Sequence, residues 1–350
     1  MKKNKSKVLS LDNFIDYALY DKKKGYYIKK NPFGKNGDFI TAPNISILFS
    51  EMISIWLVSY WNHLNQPKKI DIIELGAGNG ALMKGIINTL KNFPNFYNSC
   101  NFLIYEKSKT LIDIQKKNIS SQQISWKKKL EFKKKIPIIF IANEFFDSIA
   151  IKQFRKNKNQ WFEKYVSFNN KKKASFFEKK INIKKLEKKI NLKISQNQNF
   201  IEYSNLGHDY LKKISKIIKK NDGGLLIIDY GYTDKKMKNT LKAVANHKFA
   251  NILNNIGNVD ITHNISFELF KKFLTQFNSL ENYLTTQKKF LVEMGIKERA
   301  EIISKKLNFL KKADIYYRLN RLIDDKQMGS LFKVMLIKNK KNTFKLGFNN

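Results

Sequence analysis

The sequence has little cysteine, histidine or arginine, and it has no long uninterrupted apolar run. Cys100 is the only cysteine among the 350 residues, so a disulfide framework and a thiolate metal site are excluded and a reducing compartment is expected. The four histidines are scattered without metal-ligand spacing, so we expect no metal cofactor. The most apolar long segment, 45–61, is interrupted by polar residues at helical spacing. This pattern indicates an amphipathic helix rather than a membrane span.

The basic charge is large but chemically uniform. The formal net charge is +38, yet only four of the 67 basic residues are arginines, and the lysines are spread over almost every segment. Base recognition favours arginine, and no nucleic-acid recognition motif is present. We therefore interpret the charge as a compositional bias toward lysine and do not expect nucleic acid as a partner, although a polyanion-binding role stays open.

Short apolar runs alternate with helical stretches from residue 70 onward. The runs are apolar throughout, as strands covered on both faces should be, and the alternation predicts an α/β fold with a parallel, Rossmann-like sheet. The predicted strands are 70–75, 101–105, 136–142 and 224–229. Four regions follow along the chain: an N-terminal helical and lid region (1–66), the first half of the core (67–150), an inserted hairpin and helix (151–205), and the second half of the core (206–350), which carries an inserted helical segment at about 233–325 on the substrate-acceptor side.

Several local patterns give further elements. Ser10 is a plausible N-cap for a helix over 11–20. Within the insertion, two strand-like pieces and a lysine-dense segment predict a hairpin and a covering helix. The remaining predictions are strands at 151–155, 161–168 and 331–337, and helices near 266–277 and 288–309.

A glycine-rich turn follows the first predicted strand directly, as Gly76, Gly78 and Gly80, and a helix begins at Ala81. A strand-to-helix turn at the carboxyl edge of a parallel sheet is where such folds bind ligands, and glycine lets the backbone approach the ligand closely. The same residues also satisfy a dinucleotide-binding pattern. The turn alone therefore leaves S-adenosylmethionine and a dinucleotide as alternatives.

Two carboxylates lie at the ends of neighbouring predicted strands. Glu74 comes just before the glycine turn, where it would attract the ammonium and sulfonium of S-adenosylmethionine and repel a pyrophosphate. Glu106 closes the second strand and can accept two hydrogen bonds from a ribose diol, which either cofactor would offer. The alternative roles are a helix-capping acid for Glu74 and a solvated loop acid for Glu106.

Six motifs in series resemble the MidA family of class I S-adenosylmethionine-dependent methyltransferases, which includes a mitochondrial protein arginine methyltransferase that assists complex I assembly. The resemblance spans nearly the whole chain. It implies S-adenosylmethionine as cofactor and a protein arginine as acceptor, in a subunit of NADH:ubiquinone oxidoreductase for the mitochondrial members. The motifs are GDFITAP at 37–43, ELGAGNG at 74–80, ANEFFD at 142–147, IDYG at 228–231, DITH at 260–263 and TQ at 286–287.

The resemblance also implies where the chemistry lies. The loop after the predicted strand at 136–142 borders the methyl group in this fold, so Asn143, Glu144 and Asp147 are expected to bind the acceptor and handle its charge. The alternative is a purely structural role, in which Asn143 and Asp147 only cap the following turn. This chain departs from the family at Asn44, where glutamate is usual, and at Ser50, where glycine is usual.

Two further segments are assigned to the site. Residues 37–43 are expected to fold over the cofactor as a lid, with Asp38 and Thr41 in polar contact, although a simple turn would explain the same residues. Asp260, Thr262 and His263 are candidates for the acceptor groove, and the alternative there is a capped helix start.

Three other functions remain as alternatives. A non-catalytic assembly or chaperone factor could bind a partner protein and retain the cofactor site. An RNA methyltransferase fits the charge, but residues 143–146 lack the proline-rich motif that grips a base, and a dinucleotide-dependent oxidoreductase lacks a hydride-site arrangement. We expect the bacterial cytoplasm, or the mitochondrial matrix in a eukaryote, and leave a homodimer open.

Overall fold

The computed structural model describes residues 7–29, 41–121, 123–132, 135–169, 173–245 and 248–349. The chain divides into two compact units, and both are discontinuous in sequence. Unit 1 comprises Met1–Lys30, Phe146–Lys212 and Tyr232–Gln276, and unit 2 comprises Asn31–Phe145, Lys213–Gly231 and Phe277–Asn350. The four regions predicted from the sequence follow the chain in order, whereas these units join distant segments.

The helices and strands are numbered along the chain. The helices are α1 (Leu11–Tyr20), α2 (Tyr26–Lys29), α3 (Ala42–Ile45), α4 (Ile47–His63), α5 (Ala81–Leu90), α6 (Pro94–Ser99), α7 (Lys109–Asn118), α8 (Ile183–Ile190), α9 (Asn205–Asn221), α10 (Phe267–Leu274), α11 (Gln287–Glu293), α12 (Ile296–Ser304), α13 (Phe309–Ile323) and α14 (Met328–Leu331). The strands are β1 (Lys7–Ser10), β2 (Ile70–Leu75), β3 (Cys100–Tyr105), β4 (Ile124–Lys127), β5 (Ile138–Asn143), β6 (Lys152–Asn157), β7 (Gln160–Phe168), β8 (Ala174–Ile181), β9 (Phe200–Tyr203), β10 (Gly223–Tyr232), β11 (Lys242–Ala245), β12 (Lys248–Ala250), β13 (Asp260–Thr262), β14 (Ile265–Ser266), β15 (Leu280–Thr286) and β16 (Phe332–Asn339).

Unit 2 is built on a twisted sheet in the order β15-β16-β10-β5-β2-β3-β4. The strands from β10 to β4 are parallel to one another. β16 runs antiparallel to β10, and β15 pairs antiparallel with β16 and so runs in the same direction as the other strands. The predicted α/β fold with a parallel, Rossmann-like sheet is confirmed. All six residues of β2 are buried, which is why its apolar residues do not alternate with polar ones, although Asp71 and Glu74 are acidic.

The order of strands fixes where a ligand can bind. β2 pairs with β3 on one side and with β5 on the other. The chain therefore adds β3 and β4 on one side of β2 and then crosses the sheet to add β5 on the opposite side. Ligands of open α/β sheets bind at such a switch point, beyond the carboxyl ends of the strands. The glycine turn follows β2, and Glu144 follows β5.

Helix α4 packs against the first helix of the sheet layer, α5. The helix predicted at 45–61 is confirmed with bounds shifted by two residues, but its predicted amphipathic character is wrong, because only its end residues Ile47, Asn62 and His63 are exposed. Trp56 and Tyr60 are fully buried. Ser50 of α4 faces Gly85 of α5. The two residues are so close that a Cβ on Gly85 would lie only 2.5 Å from Ser50 Oγ. Ser50 is one of the two departures from the MidA family.

Unit 1 contains an antiparallel sheet in the order β1-β7-β6-β9, with β8 paired to β7, and a smaller sheet β12-β11-β13. The predicted hairpin in the insertion is confirmed as β6 and β7, and its lysine-dense helix is α8. No sequence pattern predicted β1, β8 or the small sheet, because short or exposed strands are held by their pairing partners rather than by an apolar pattern.

Two predicted helices need correction. The helix predicted at 288–309 is wrong as one element, since α11 ends at Glu293 and α12 begins after Gly295, whose φ of +82° breaks the helix. Helix α1 matches its prediction, but the Ser10 hydroxyl donates to the Asp12 carboxylate instead of capping the helix. In the described part of the chain, no helix combines the length and apolar character that crossing a bilayer requires.

Candidate active site

The glycine turn adopts a backbone that only glycine takes readily at three positions. Gly76, Gly78 and Gly80 have φ angles of +65°, +53° and +83°. The Gly76 amide donates to the Tyr105 carbonyl over 2.9 Å, which ties the turn to the end of β3. A Cβ on Gly76 would lie 2.8 Å from the Phe145 ring, so glycine also leaves room for the segment after β5.

Side chains from α7 hold the carbonyls of this turn. Gln115 Nε2 donates to the Gly78 carbonyl over 2.9 Å, and Asn118 Nδ2 donates to the Asn79 carbonyl over the same distance. Gln115 is fully buried, and its Oε1 accepts from the Trp126 indole. Sequence reasoning missed Gln115, because a single glutamine on an amphipathic helix carries no signal of the turn that it supports.

Glu106 is fixed by the residues that follow it. Its Oε1 accepts from the amides of Lys107 and Ser108 at 2.8 and 2.9 Å, and its Oε2 accepts from Gln115 at 3.3 Å. Burial raises the pKa of Glu106, and these hydrogen bonds oppose the increase. The side chain is only 8% exposed, so it is no solvated loop acid and is held rigidly at the predicted ribose position.

Glu74 is buried at the end of β2. Its Oε2 has no hydrogen-bond partner among the described residues, and the nearby Met83 amide in the first turn of α5 favours the charged carboxylate. Burial raises the pKa of Glu74 to about 8, and the neighbouring Glu106 adds to this increase. A cation beside Oε2 would lower that pKa again, so the pair of carboxylates suits the ammonium and ribose of S-adenosylmethionine.

The segment after β5 is strained at Glu144. Its φ is +50°, a left-handed conformation that side chains rarely adopt, and its amide donates to the Ile228 carbonyl over 2.9 Å. Asn143 Nδ2 donates to Glu144 Oε1 over 3.3 Å, whereas the buried Asn143 Oδ1 has no partner among the described residues. Strain and an unsatisfied acceptor in adjacent residues are typical of a functional site.

The other predicted acceptor residues lie in unit 1, where they form a buried network. Thr262 Oγ1 donates to Asp147 Oδ2 over 3.0 Å, and the His263 amide donates to the Asp147 carbonyl over 3.3 Å. Asp260 accepts from the Tyr27 hydroxyl over 2.9 Å. Burial raises the pKa of Asp147, while His263 and Thr262 lower it. Asp260, Thr262 and His263 are each less than 8% exposed, so they hold other residues in place.

One predicted lid residue can be placed and the other cannot. Thr41 precedes α3, and its hydroxyl accepts a hydrogen bond from Asn44 Nδ2 over 2.7 Å. Asn44 Oδ1 accepts from Asn79 Nδ2 over 3.1 Å, which connects this segment to the glycine turn. Asp38 lies outside the described residues. Within those residues, no group of three histidine, cysteine or acidic side chains could hold a metal ion.

Comparison with known proteins agrees with this geometry. Residues 52–285 match a family described as "Putative S-adenosyl-L-methionine-dependent methyltransferase". The relative named protein arginine methyltransferase NDUFAF7, mitochondrial, from Xenopus laevis is 25% identical over 93% of this chain and 80% of its own length, and the one from Homo sapiens is 23% identical over 93% and 78%.

A solved structure gives the same fold. It is a likely methyl transferase of the COG1565 superfamily from Burkholderia thailandensis bound to S-adenosyl-homocysteine, with a TM-score of 0.81, 18% identity, and coverage of 97% of this chain and 90% of that one. Within this fold, Glu74 lies at the end of β2, and the glycine turn and Glu106 follow β2 and β3. The chain belongs to the matched family, of which MidA proteins are members, and is a class I methyltransferase that uses S-adenosyl-L-methionine.

Proposed function

We propose that this enzyme methylates an arginine side chain of a partner protein, and that the partner is a subunit of NADH:ubiquinone oxidoreductase. The names of the relatives support the acceptor class, since they are called protein arginine methyltransferases and align over most of the chain. Their names also carry the word mitochondrial, which supports the matrix for eukaryotic members. The bacterial cytoplasm and a homodimer stay predictions.

The observation that carries the proposal is the pair Asn143 and Glu144. A guanidinium has five N–H donors and no acceptor, so it needs acceptor oxygens that are held in place. Asn143 supplies a buried Oδ1 without a partner, and Glu144 supplies a carboxylate on a strained backbone. Together they can orient one guanidinium and localise its lone pair.

S-adenosylmethionine supplies a methyl group on a positively charged sulfur. An arginine nitrogen forms the new bond to carbon, the carbon–sulfur bond breaks with its electron pair going to sulfur, and the nitrogen loses one proton. In this proposal the Glu144 carboxylate accepts that proton, and Asn143 holds the guanidinium in line. Asp147 is the second candidate for handling charge.

Asp260, Thr262 and His263 are proposed as positioning residues of the acceptor side. Thr262 and His263 fix Asp147 directly, and Asp260 anchors Tyr27. Their burial supports this role better than direct contact with the acceptor. Thr41 and Asp38 remain proposed cofactor contacts of the lid.

The experiment uses methyl-labelled S-adenosylmethionine with a lysate of the source organism, followed by separation of protein from RNA and identification of the labelled residue. We expect label on arginine in one or a few proteins, and its loss in Glu144→Gln. Label in RNA or on lysine would overturn the acceptor assignment. Cofactor binding by calorimetry without any transfer would favour the non-catalytic assembly factor.

A further inference from the structure

The connection between α12 and α13 projects from unit 2. Every residue from 305 to 314 is exposed, which includes the first turn and a half of α13. We call residues 305–314 the α12–α13 finger. A helix turn that is exposed on all sides packs against nothing in its own unit, so packing in the core does not explain its apolar residues.

The tip of the finger is apolar. Phe309 is 81% exposed and Leu310 is 78% exposed, and Leu307 lies beside them at 38%. Ile302, at the end of α12, is also exposed. Single apolar side chains on a surface need no explanation, but four large ones within nine residues form a patch that water solvates poorly.

Four lysines lie among and beside these apolar residues. Lys305 and Lys306 lie between Ile302 and Leu307, Lys311 and Lys312 follow Leu310, and no acidic residue lies between Glu301 and Asp314. Within the described residues, none of these four ammonium groups takes part in an ion pair. The first turn of α13 contains no acid, although a helix N-terminus favours negative charge. The finger therefore carries four lysines and a single acid, Asp314, which pairs with Arg318.

We propose that the α12–α13 finger docks on an anionic lipid bilayer, with Phe309 and Leu310 inserted between acyl chains and the four lysines against lipid phosphates. Convex apolar tips with flanking lysines are typical of interfacial membrane binding. Protein interfaces are depleted in lysine at their centres, and readers of nucleic acid favour arginine, so these partners fit the finger less well. Such docking would bring the enzyme to membrane-bound acceptors.

The test measures sedimentation of the full-length protein with vesicles of phosphatidylcholine alone and with added phosphatidylglycerol, at two salt concentrations. We expect at least tenfold stronger binding to the anionic vesicles, weakened by salt. Phe309→Ser/Leu310→Ser, and separately a variant with all four finger lysines changed to glutamine, should each lose at least tenfold.

Matched controls separate the finger from bulk charge and exposure. Changing the four exposed lysines of α8 to glutamine removes the same charge, and Phe249→Ser removes an equally exposed aromatic ring. Both controls should bind like the wild type, and all variants should keep their melting temperature and cofactor affinity. Absent or charge-independent vesicle binding, or equal loss in the controls, would overturn the proposal. So would a dimer in solution that Phe309→Ser/Leu310→Ser dissociates, since the occupant would then be a second copy. The α8 lysines are Lys184, Lys185, Lys188 and Lys189.

Discussion

Asn79 Nδ2 donates a hydrogen bond to Asn44 Oδ1 across 3.1 Å, and this bond links the glycine turn to the segment that precedes α4. Asn44 Nδ2 in turn donates to Thr41 Oγ1. The glutamate that is usual in the family could accept from Asn79 but could not donate to Thr41. Asparagine therefore makes two contacts here, and one of them depends on its amide nitrogen.

We expect Asn44→Ala to weaken S-adenosylmethionine binding by roughly 3- to 10-fold, because a net hydrogen bond is worth about 0.5–1.5 kcal/mol. Asn44→Asp keeps the acceptor for Asn79 and should retain most of the affinity. Calorimetric titration measures both. Asn62→Ala, an exposed residue of α4, is the control and should change nothing. Equal losses in Asn44→Ala and Asn44→Asp would show that the bond to Asn79 is not what matters.

The pKa of Glu74 leads to a pH-dependent stability. Its ordinary value is 4.5 and burial raises it to about 8, so between these values the folded protein holds a proton that the unfolded chain has released. The free energy of unfolding therefore falls as pH rises through this window, by at most about 1.4 kcal/mol per pH unit. Glu74→Gln removes the effect and should melt higher than the wild type at pH 8, but not at pH 4.

The same substitution should weaken binding of the cofactor. Glu74→Gln removes the negative charge that a bound ammonium would stabilise, so we expect roughly 10- to 100-fold lower affinity for S-adenosylmethionine. Melting curves at several pH values and calorimetry together test both effects. Glu301→Gln, at an exposed position of α12, serves as the comparison. A variant that is stabilised at pH 8 yet binds the cofactor normally would place Glu74 outside the cofactor site.

Glu144→Gln and Asp147→Asn should abolish methyl transfer while sparing cofactor affinity, since neither residue belongs to the turn around Gly78. Turnover is measured with labelled S-adenosylmethionine, and binding by calorimetry. Both substitutions keep shape and remove charge, so folding should persist. Undiminished turnover in both variants would leave capping of the local turn as the better explanation.

The contact between Ser50 and Gly85 predicts that substitutions at these two positions compensate each other. Gly85→Ala would place a methyl group against Ser50 Oγ and should destabilise the protein by about 1–3 kcal/mol through overpacking. Ser50→Gly should cost about 1 kcal/mol as a glycine inside a helix. The double variant should recover most of the melting temperature, because the clash is gone and α5 gains alanine. Additive losses would mean that α4 and α5 do not meet as described.

The sequence predicted the fold best where strands are buried on both faces. The run 70–75 coincides with β2, because a strand that is buried on both faces carries apolar residues on both, here at four of its six positions. β8 and β11 were missed, since one lies largely exposed and the other is short, and both depend on pairing with distant strands. No local pattern records such a partner.

For the candidate site, the sequence predicted where along the strands the acidic residues lie, but not which hydrogen bonds they make. Glu74 and Glu106 could be placed at strand ends from the alternation of strands and helices, but the unsatisfied Oε2 of Glu74 could not. Gln115 supports Gly78 from 37 residues away, a distance that periodicity cannot bridge. The roles of Glu144 and Asp147 rest on family resemblance and stay predictions.

The position of β16 affects how the chain can be made. β16 follows the other strands of its sheet along the chain, yet it lies between β10 and β15 inside the sheet. Until residues 332–339 emerge, the edge of β10 that β16 will cover is open, with its apolar side chains beside it. Open strand edges pair with other chains. We therefore expect this enzyme to be prone to aggregation as long as β10 and β15 have been made without β16, and truncation before Phe332 should give insoluble protein instead of a shorter enzyme.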